Sequence, residues 1–147
     1  MPKQCVTCGS TDIKRFENQT EKMEFKVGNK IKKFLLTGLS YSKCQKCGEG
    51  YLNPQDGHIE TQKLLEALAE DRRKRGLLTA EEIKEIRDEL GYTQDQLDKL
   101  LGLGKKSFAR WETYKVDQSR SADLLLRAIK KGGKDFLISL VNERKIA

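Results

Sequence analysis

The chain has 147 residues, of which 37% are hydrophobic and 35% charged, a composition typical of one soluble domain or of two small ones. No apolar run approaches the roughly 18 residues that span a bilayer, and residues 1–10 lack the apolar segment of a secretory signal, so we expect a cytoplasmic protein. The net charge of +7 favours polyanionic partners. Residues 81–98 are mainly acidic and residues 105–131 mainly basic, a distribution expected when only one face of a domain meets phosphate.

The cysteines form two Cys-x-x-Cys pairs, Cys5 with Cys8 and Cys44 with Cys47, and a glycine follows each pair. Two such pairs supply the four thiolates that zinc prefers in a tetrahedron. Each glycine permits a tight turn that directs backbone N–H groups towards the sulfurs. Because all four positions are then filled by protein, the pattern predicts one structural zinc ion per chain and no catalytic metal.

Other roles for these cysteines fit the pattern less well. Two disulfides would suit a secreted protein. A redox enzyme would use a single reactive pair in a βαβ context, without a tightly bound metal. The chain has no glycine-rich phosphate loop, and its one histidine, His58, is expected at the surface near a helix start. We therefore predict that the protein is not an enzyme.

The segment between the cysteine pairs has the pattern of a β-hairpin. Apolar residues alternate over residues 23–27, Gly28 and Asn29 mark a turn, and a return strand starts at Lys30. A short antiparallel sheet would bring the two cysteine pairs together. Its edges could bind a partner by strand addition or be capped without one, and the pattern favours neither. Residues 1–56 are thus expected to form a small zinc-bound β module.

Residues 57–76 are predicted to form a linker helix that ends at Gly76. Its apolar residues fall near one face: Ile59, Leu64, Leu65, Leu68 and Ala69. The helix runs into four basic residues at 72–75. These residues either contact the DNA backbone or form a solvated helix end paired with nearby acids, and the second alternative is favoured.

Residues 77–147 are predicted to be an all-α domain of about five helices, which gives the whole chain an α+β fold class. Thr79 and Glu82 form a capping box, and Thr93 caps a second helix. The turn Gly102-Leu103-Gly104 then leads to a third helix.

The third helix is predicted to run from Lys105 to about Thr113, with Phe108 and Trp111 facing inward. Ser121 is predicted to cap a fourth helix. The apolar tail at 136–141 either forms a dimer interface or packs under that helix.

The third helix is also the predicted DNA reader. Lys106 and Arg110 are four residues apart and share its outer face, with Ser107 at the flank. An arginine there can make a bidentate contact with a guanine edge in the major groove. Lys105 can reach bases or phosphates, and Gln94, at the start of the second helix, is placed to clamp a phosphate. For each lysine, a merely solvated position fits equally well.

Two motifs, Thr-Gln-Asp-Gln-Leu at 93–97 and Phe-Ala-Arg-Trp-Glu at 108–112, resemble the Xre/Cro-type helix-turn-helix. Two positions depart from that pattern: Asp98 stands where Ala or Ser is usual, and Gly104 stands where Ser or Thr is usual. The complete order of cysteine pair, β segment, cysteine pair, linker helix and helix-turn-helix resembles the MqsA (YgiT-type) antitoxins.

This resemblance implies an antitoxin whose N-terminal domain carries zinc and binds a ribonuclease toxin. It also implies a homodimer, joined through the C-terminal domain, that binds a palindromic operator in double-stranded DNA and represses its own promoter. By position, the four cysteines would be the zinc ligands, and Lys106 and Arg110 the base readers. The family often has Asn where Lys106 stands, so a different base is expected. The alternative is a stand-alone zinc-containing regulator with no toxin partner.

Overall fold

The computed structural model describes residues 2–146, with side chains described as far as residue 144. Within these residues the chain forms a three-stranded antiparallel sheet followed by five helices, which confirms the α+β class. The elements are β1 (Ile13–Val27), β2 (Lys30–Cys44), β3 (Gly50–Tyr51), α1 (Pro54–Lys74), α2 (Ala80–Leu90), α3 (Gln94–Leu101), α4 (Ser107–Trp111) and α5 (Arg120–Ile146). No helix in this range is long and apolar enough to cross a membrane.

The chain divides into two compact units. The first contains the residues up to 25 together with residues 31–67, and the second contains residues 26–30 and the residues from 68 onward. The second unit is therefore discontinuous in sequence. Within it, Val27 is buried and the Gly28 N–H donates to the Lys115 carbonyl at 2.7 Å.

The two long strands β1 and β2 are 15 residues each, so the hairpin extends well beyond the segment predicted from alternation. Gly28 has a φ of 59°, a positive value typical of the first residue in a two-residue hairpin turn. Far from this turn, Phe16 stacks on Tyr41 with ring centroids 5.6 Å apart, and Tyr41 donates to Glu21 at 2.7 Å. Such cross-strand pairs stabilise the polar part of β1, which lacks a clear apolar period.

Helix α1 begins at Pro54, so the predicted start at residue 57 is wrong. The side-chain oxygen of Asn53 accepts the Asp56 N–H at 2.8 Å, which makes Asn53 the cap and places proline at the first helical position. Arg15 on β1 binds both carboxylate oxygens of Asp56, at 2.7 and 3.1 Å. This bidentate ion pair fixes the first turn of α1 against the sheet of the first unit.

The basic end of α1 is charge-paired, but one of its arginines is wholly buried, which neither predicted alternative included. Arg72 is 0% exposed and donates to Asp117 at 2.9 Å and to the Val116 carbonyl at 3.1 Å. Its guanidinium lies 4.5 Å from the ring centroid of Tyr114. Arg75 binds the same Asp117 at 2.8 Å. These contacts hold the loop that follows α4.

Local capping signals determine the helix ends in the second unit. The predicted capping box at Thr79 is confirmed, a second one is present at Thr93, and Gly91 ends α2 in the left-handed region. The predicted Ser121 cap is wrong, because α5 begins at Arg120 and the Ser119 hydroxyl accepts the Ala122 N–H at 3.1 Å.

The core of the second unit joins α2, α3, α4 and α5. Its most deeply buried apolar side chains are Ile83, Ile86, Leu97, Phe108, Leu126, Ile129 and Leu137. The tail therefore packs in this core, whereas Phe136 and Ile138 remain partly exposed. Gly133 has non-helical angles (φ 77°, ψ −169°) and divides α5 into two segments, which brings the helical segments after residue 77 to the predicted five.

Candidate metal centre and nucleic-acid interface

The four cysteines converge in the first unit. Their Sγ atoms all lie within 4.8 Å of one another, with Cys5 3.5 Å from Cys47 and Cys8 3.6 Å from Cys44. A tetrahedral ion with metal–sulfur bonds of about 2.3 Å requires sulfurs roughly 3.8 Å apart. The cluster thus has the size and the donor set to hold one four-coordinate metal ion.

Each cysteine pair lies on a tight turn that ends in a glycine. The Gly9 N–H donates to the Cys5 carbonyl at 2.8 Å, and the Gly48 N–H donates to the Cys44 carbonyl at 2.9 Å. Both glycines have positive φ, 73° and 82°. A side chain is disfavoured in that conformation, which explains why both pairs are followed by glycine.

Hydrogen bonds favour the thiolate form at the buried members of the cluster. The Tyr51 hydroxyl donates to Cys5 Sγ at 3.0 Å and, with backbone N–H groups of the turn, lowers the pKa of the Cys5 thiol to about 6. A hydrogen bond from the Cys47 backbone lowers the pKa of Cys44. The hydrogen bond between Tyr51 and Cys5 also raises the pKa of the Tyr51 hydroxyl, to about 12. Sequence reasoning missed Tyr51, since no local pattern marks a tyrosine as a neighbour of a cysteine 46 residues away.

The pKa of the exposed cysteine, Cys47, shifts in the opposite direction. The Glu49 N–H lowers the pKa of the Cys47 thiol, but desolvation and the three neighbouring sulfurs outweigh it and raise the pKa to about 12. Without a cation, this raised pKa favours the protonated form of the Cys47 thiol. Metal binding would replace that proton, because thiolates are the ligands.

A surface cleft of about 610 Å³ lies between α3 and α4 in the second unit. It is lined by Gln94, Asp95, Asp98, Lys106, Ala109, Arg110, Thr113 and Lys115. Three of the five predicted DNA-contacting residues, Gln94, Lys106 and Arg110, are thus brought together. Lys105 lines an adjacent depression with Lys106. Lys115 was not singled out in the sequence, although it belongs to the basic segment.

Helix α4 is shorter than the predicted third helix. It contains only Ser107–Trp111, and the Ser107 hydroxyl donates to the Gly104 carbonyl at 2.7 Å. Lys105 therefore precedes the helix, and Lys106 is its cap residue, in the left-handed region at φ 62°. The predicted start of the third helix at Lys105 is therefore wrong, but Lys106, at the cap position, and Arg110 line the same cleft.

The departures at Asp98 and Gly104 are structurally linked. Lys106 makes no capping hydrogen bond through its side chain to any described residue, and the Ser or Thr usual at position 104 is absent. Asp98, which is 4% exposed, accepts the Phe108 N–H at 3.1 Å from the neighbouring helix. The Asp98 carboxylate thus caps α4 in place of the missing hydroxyl.

Replacing Asp98 by alanine is expected to lower the free energy of unfolding by about 1 kcal/mol, since α4 loses its capping acceptor. Asp98→Asn keeps an acceptor oxygen and should recover at least half of that loss. Denaturant unfolding of the two variants measures the difference. Asp95→Ala, an exposed change on the same helix, serves as the control, and equal stability of Asp98→Ala and Asp95→Ala would contradict this capping role.

Gln94 is held by Glu112, a partly buried acid whose role sequence reasoning missed. Its side-chain amide donates to Glu112 at 2.8 Å, and Arg87 donates to the two oxygens of Glu112 at 2.7 and 3.2 Å. Glu112 raises the pKa of Arg87 above its ordinary value. A primary amide has two N–H donors, so Gln94 keeps one donor for a further ligand.

The chain matches the model of a known protein family. A family model described as the antitoxin component of a bacterial toxin-antitoxin system, MqsA, matches residues 3–137. No curated protein matches the chain significantly.

Proposed function

The chain belongs to the MqsA antitoxin family, and from that membership we propose that it is a sequence-specific DNA-binding repressor and the antitoxin of a type II toxin-antitoxin pair. The observation that carries the DNA-binding part is the cleft between α3 and α4, in which Lys106, Arg110 and Lys115 come together beside Gln94. Three cations and a phosphate-binding amide on one face suit a DNA backbone with exposed base edges.

Arg110 is the proposed base reader. On the opposite side of α4, Phe108 and Trp111 are buried with ring centroids 5.2 Å apart, and these two anchors fix the rotation of the helix. Arg110 is exposed on the remaining side, where its guanidinium can bind a guanine edge through two hydrogen bonds. We assign Lys105, Lys106, Ser107 and Gln94 to positioning contacts with bases or phosphates.

The four cysteines are proposed to bind one structural zinc ion. The distances between their sulfurs suit a tetrahedral ion, and two thiols already favour the thiolate form. When bound, zinc would supply a cross-link between two segments of chain and no chemistry of its own, because all four ligands come from protein. The proposed functional divisions of the chain are a zinc module at 1–56, a linker at 57–76, which includes most of α1, and a DNA-binding domain at 77–147.

We further propose a cytoplasmic, non-enzymatic homodimer that binds a palindromic operator in its own promoter. Two copies of α4 would be separated by about 34 Å, one turn of DNA, so the half-sites should be spaced accordingly. The N-terminal module would bind a ribonuclease toxin. A neighbouring gene for a small basic protein of ribonuclease type would support the antitoxin role over a stand-alone regulator.

The test of DNA binding compares wild type with Arg110→Ala on the DNA upstream of the gene, at two salt concentrations. We expect the variant to bind about 10- to 100-fold more weakly, because it loses a bidentate base contact. Wild-type affinity should also fall steeply with salt. Lys84→Ala, an exposed cation on α2 away from the cleft, is the matched control. Undiminished binding by Arg110→Ala would contradict this placement of the DNA-reading helix.

A further inference from the structure

Tyr51, on the short strand β3, is not one of the four cysteines, but its hydroxyl is hydrogen-bonded to the sulfur of Cys5. We infer that Tyr51 is a positioning residue of the metal centre, whose hydroxyl orients Cys5 and tunes its sulfur as a ligand. This inference rests on the proposed four-cysteine zinc site. Nothing in the cysteine spacing or in the family match assigns a role to this tyrosine.

The hydroxyl of Tyr51 makes two hydrogen bonds that act on the same stretch of chain. It donates to Cys5 Sγ at 3.0 Å and accepts the Val6 N–H at 3.1 Å. A hydroxyl has one proton, so the donor is committed to the sulfur while a lone pair takes the backbone N–H. Tyr51 thereby holds both the side chain of Cys5 and the direction in which the backbone leaves it.

The backbone of Tyr51 is held by strand pairing with β2, the strand that leads to the second cysteine pair. Tyr51 pairs with Ser42, and Gly50 pairs with Lys43, directly before Cys44 in β2. The tyrosine therefore connects the first cysteine pair to the strand that carries the second. This connection brings the two halves of the ligand set together by hydrogen bonds that do not involve the metal.

A hydrogen bond to a ligand sulfur has two separable effects on a metal. It preorganises the ligand, and loss of such an outer partner typically weakens metal binding about 10- to 100-fold. It also withdraws electron density from the sulfur, so its removal should move the sulfur-to-metal charge-transfer band of a cobalt-substituted site to longer wavelength. A residue that only stabilised the sheet would not produce the second effect.

The test uses Tyr51→Phe in the full chain, which keeps the ring and removes only the hydroxyl. Zinc affinity is measured by competition with a chelator, and the absorption spectrum is recorded at saturating cobalt(II), where a lowered affinity cannot distort it. The matched control is Tyr41→Phe, which removes a hydroxyl of the same sheet that donates to Glu21 at 2.7 Å. We expect Tyr51→Phe to lose at least 10-fold in zinc affinity with a shifted cobalt band, and Tyr41→Phe to match wild type.

The possible results separate this inference from the metal site on which it rests. If wild type binds neither zinc nor cobalt, the proposed metal site itself fails. If wild type binds both and Tyr51→Phe equals Tyr41→Phe in affinity and spectrum, the role of Tyr51 is overturned while the metal site stands. A weakened affinity with an unshifted cobalt band would likewise overturn it, since Tyr51 would then act on the fold and not on Cys5.

Discussion

Removing the metal is expected to unfold the first unit while the second unit stays folded. Within the described part of the first unit, the buried apolar residues are few: Cys5, Leu36, Leu39 and Cys44. Two of these four are proposed ligands, so little apolar core would remain without the ion. A small module of this kind depends on metal binding for its folding free energy.

The same outcome is expected for Cys44→Ser, because one lost ligand opens a four-coordinate site. Far-UV circular dichroism should lose most of its β component. Amide NMR signals of β1 and β2 outside residues 26–30 should collapse, while those of residues 26–30 and of α2 to α5 persist. Lys46→Ala, an exposed change between Cys44 and Cys47, is the control. Retention of the β signal in metal-free protein would show that the hairpin is stable without an ion.

Replacing Arg72 by alanine is expected to destabilise the second unit by about 3 kcal/mol, the lower end of the cost of breaking a buried ion pair. Arg72 is completely buried, and its loss removes the bond to Asp117, the bond to the Val116 carbonyl and the contact with the Tyr114 ring. Arg75 still pairs with Asp117, which limits the penalty. Because this loop directly follows α4, DNA binding should weaken as well.

Arg73→Ala provides a neighbouring control for this experiment. Arg73 is exposed and lies 3.7 Å from Glu70, and such surface pairs contribute less than about 1 kcal/mol. Urea unfolding of the two variants, followed by helical circular dichroism, gives the comparison. Equal unfolding free energies for Arg72→Ala and Arg73→Ala would mean that the buried network contributes nothing beyond ordinary helix propensity.

The features that could be predicted from sequence are those determined by neighbouring residues. Thr79, Thr93 and Gly91 act within one turn of helix, so their pattern identifies helix ends directly. The cysteine pairs are equally local, since two intervening residues suffice to direct both sulfurs to one point. The inward positions of Phe108 and Trp111 follow from their three-residue spacing.

The features that could not be predicted depend on partners far along the chain. Arg72 is buried because Asp117 lies 45 residues later, and Gln94 is held by Glu112, 18 residues later. The predicted start of α4 at Lys105 is wrong for a related reason. Its cap comes from Asp98 on the preceding helix and not from the turn, so the local sequence before α4 contains no hydroxyl cap.

The long hairpin changes how the basic character of this protein should be understood. Residues 13–44 contain eight basic and three acidic residues, which account for five of the seven net positive charges. Most of the excess charge thus belongs to the two strands and not to the residues that line the α3–α4 cleft. In the part of the chain that the structure describes, β2 pairs with β3 only at Ser42 and Lys43, so the remaining outer edges of β1 and β2 have no strand partner. Such open edges invite pairing between copies, and lysines along them oppose it by repulsion. The high isoelectric point of this chain is therefore not in itself an argument for nucleic-acid binding, since most of the charge behind it is carried by the two strands.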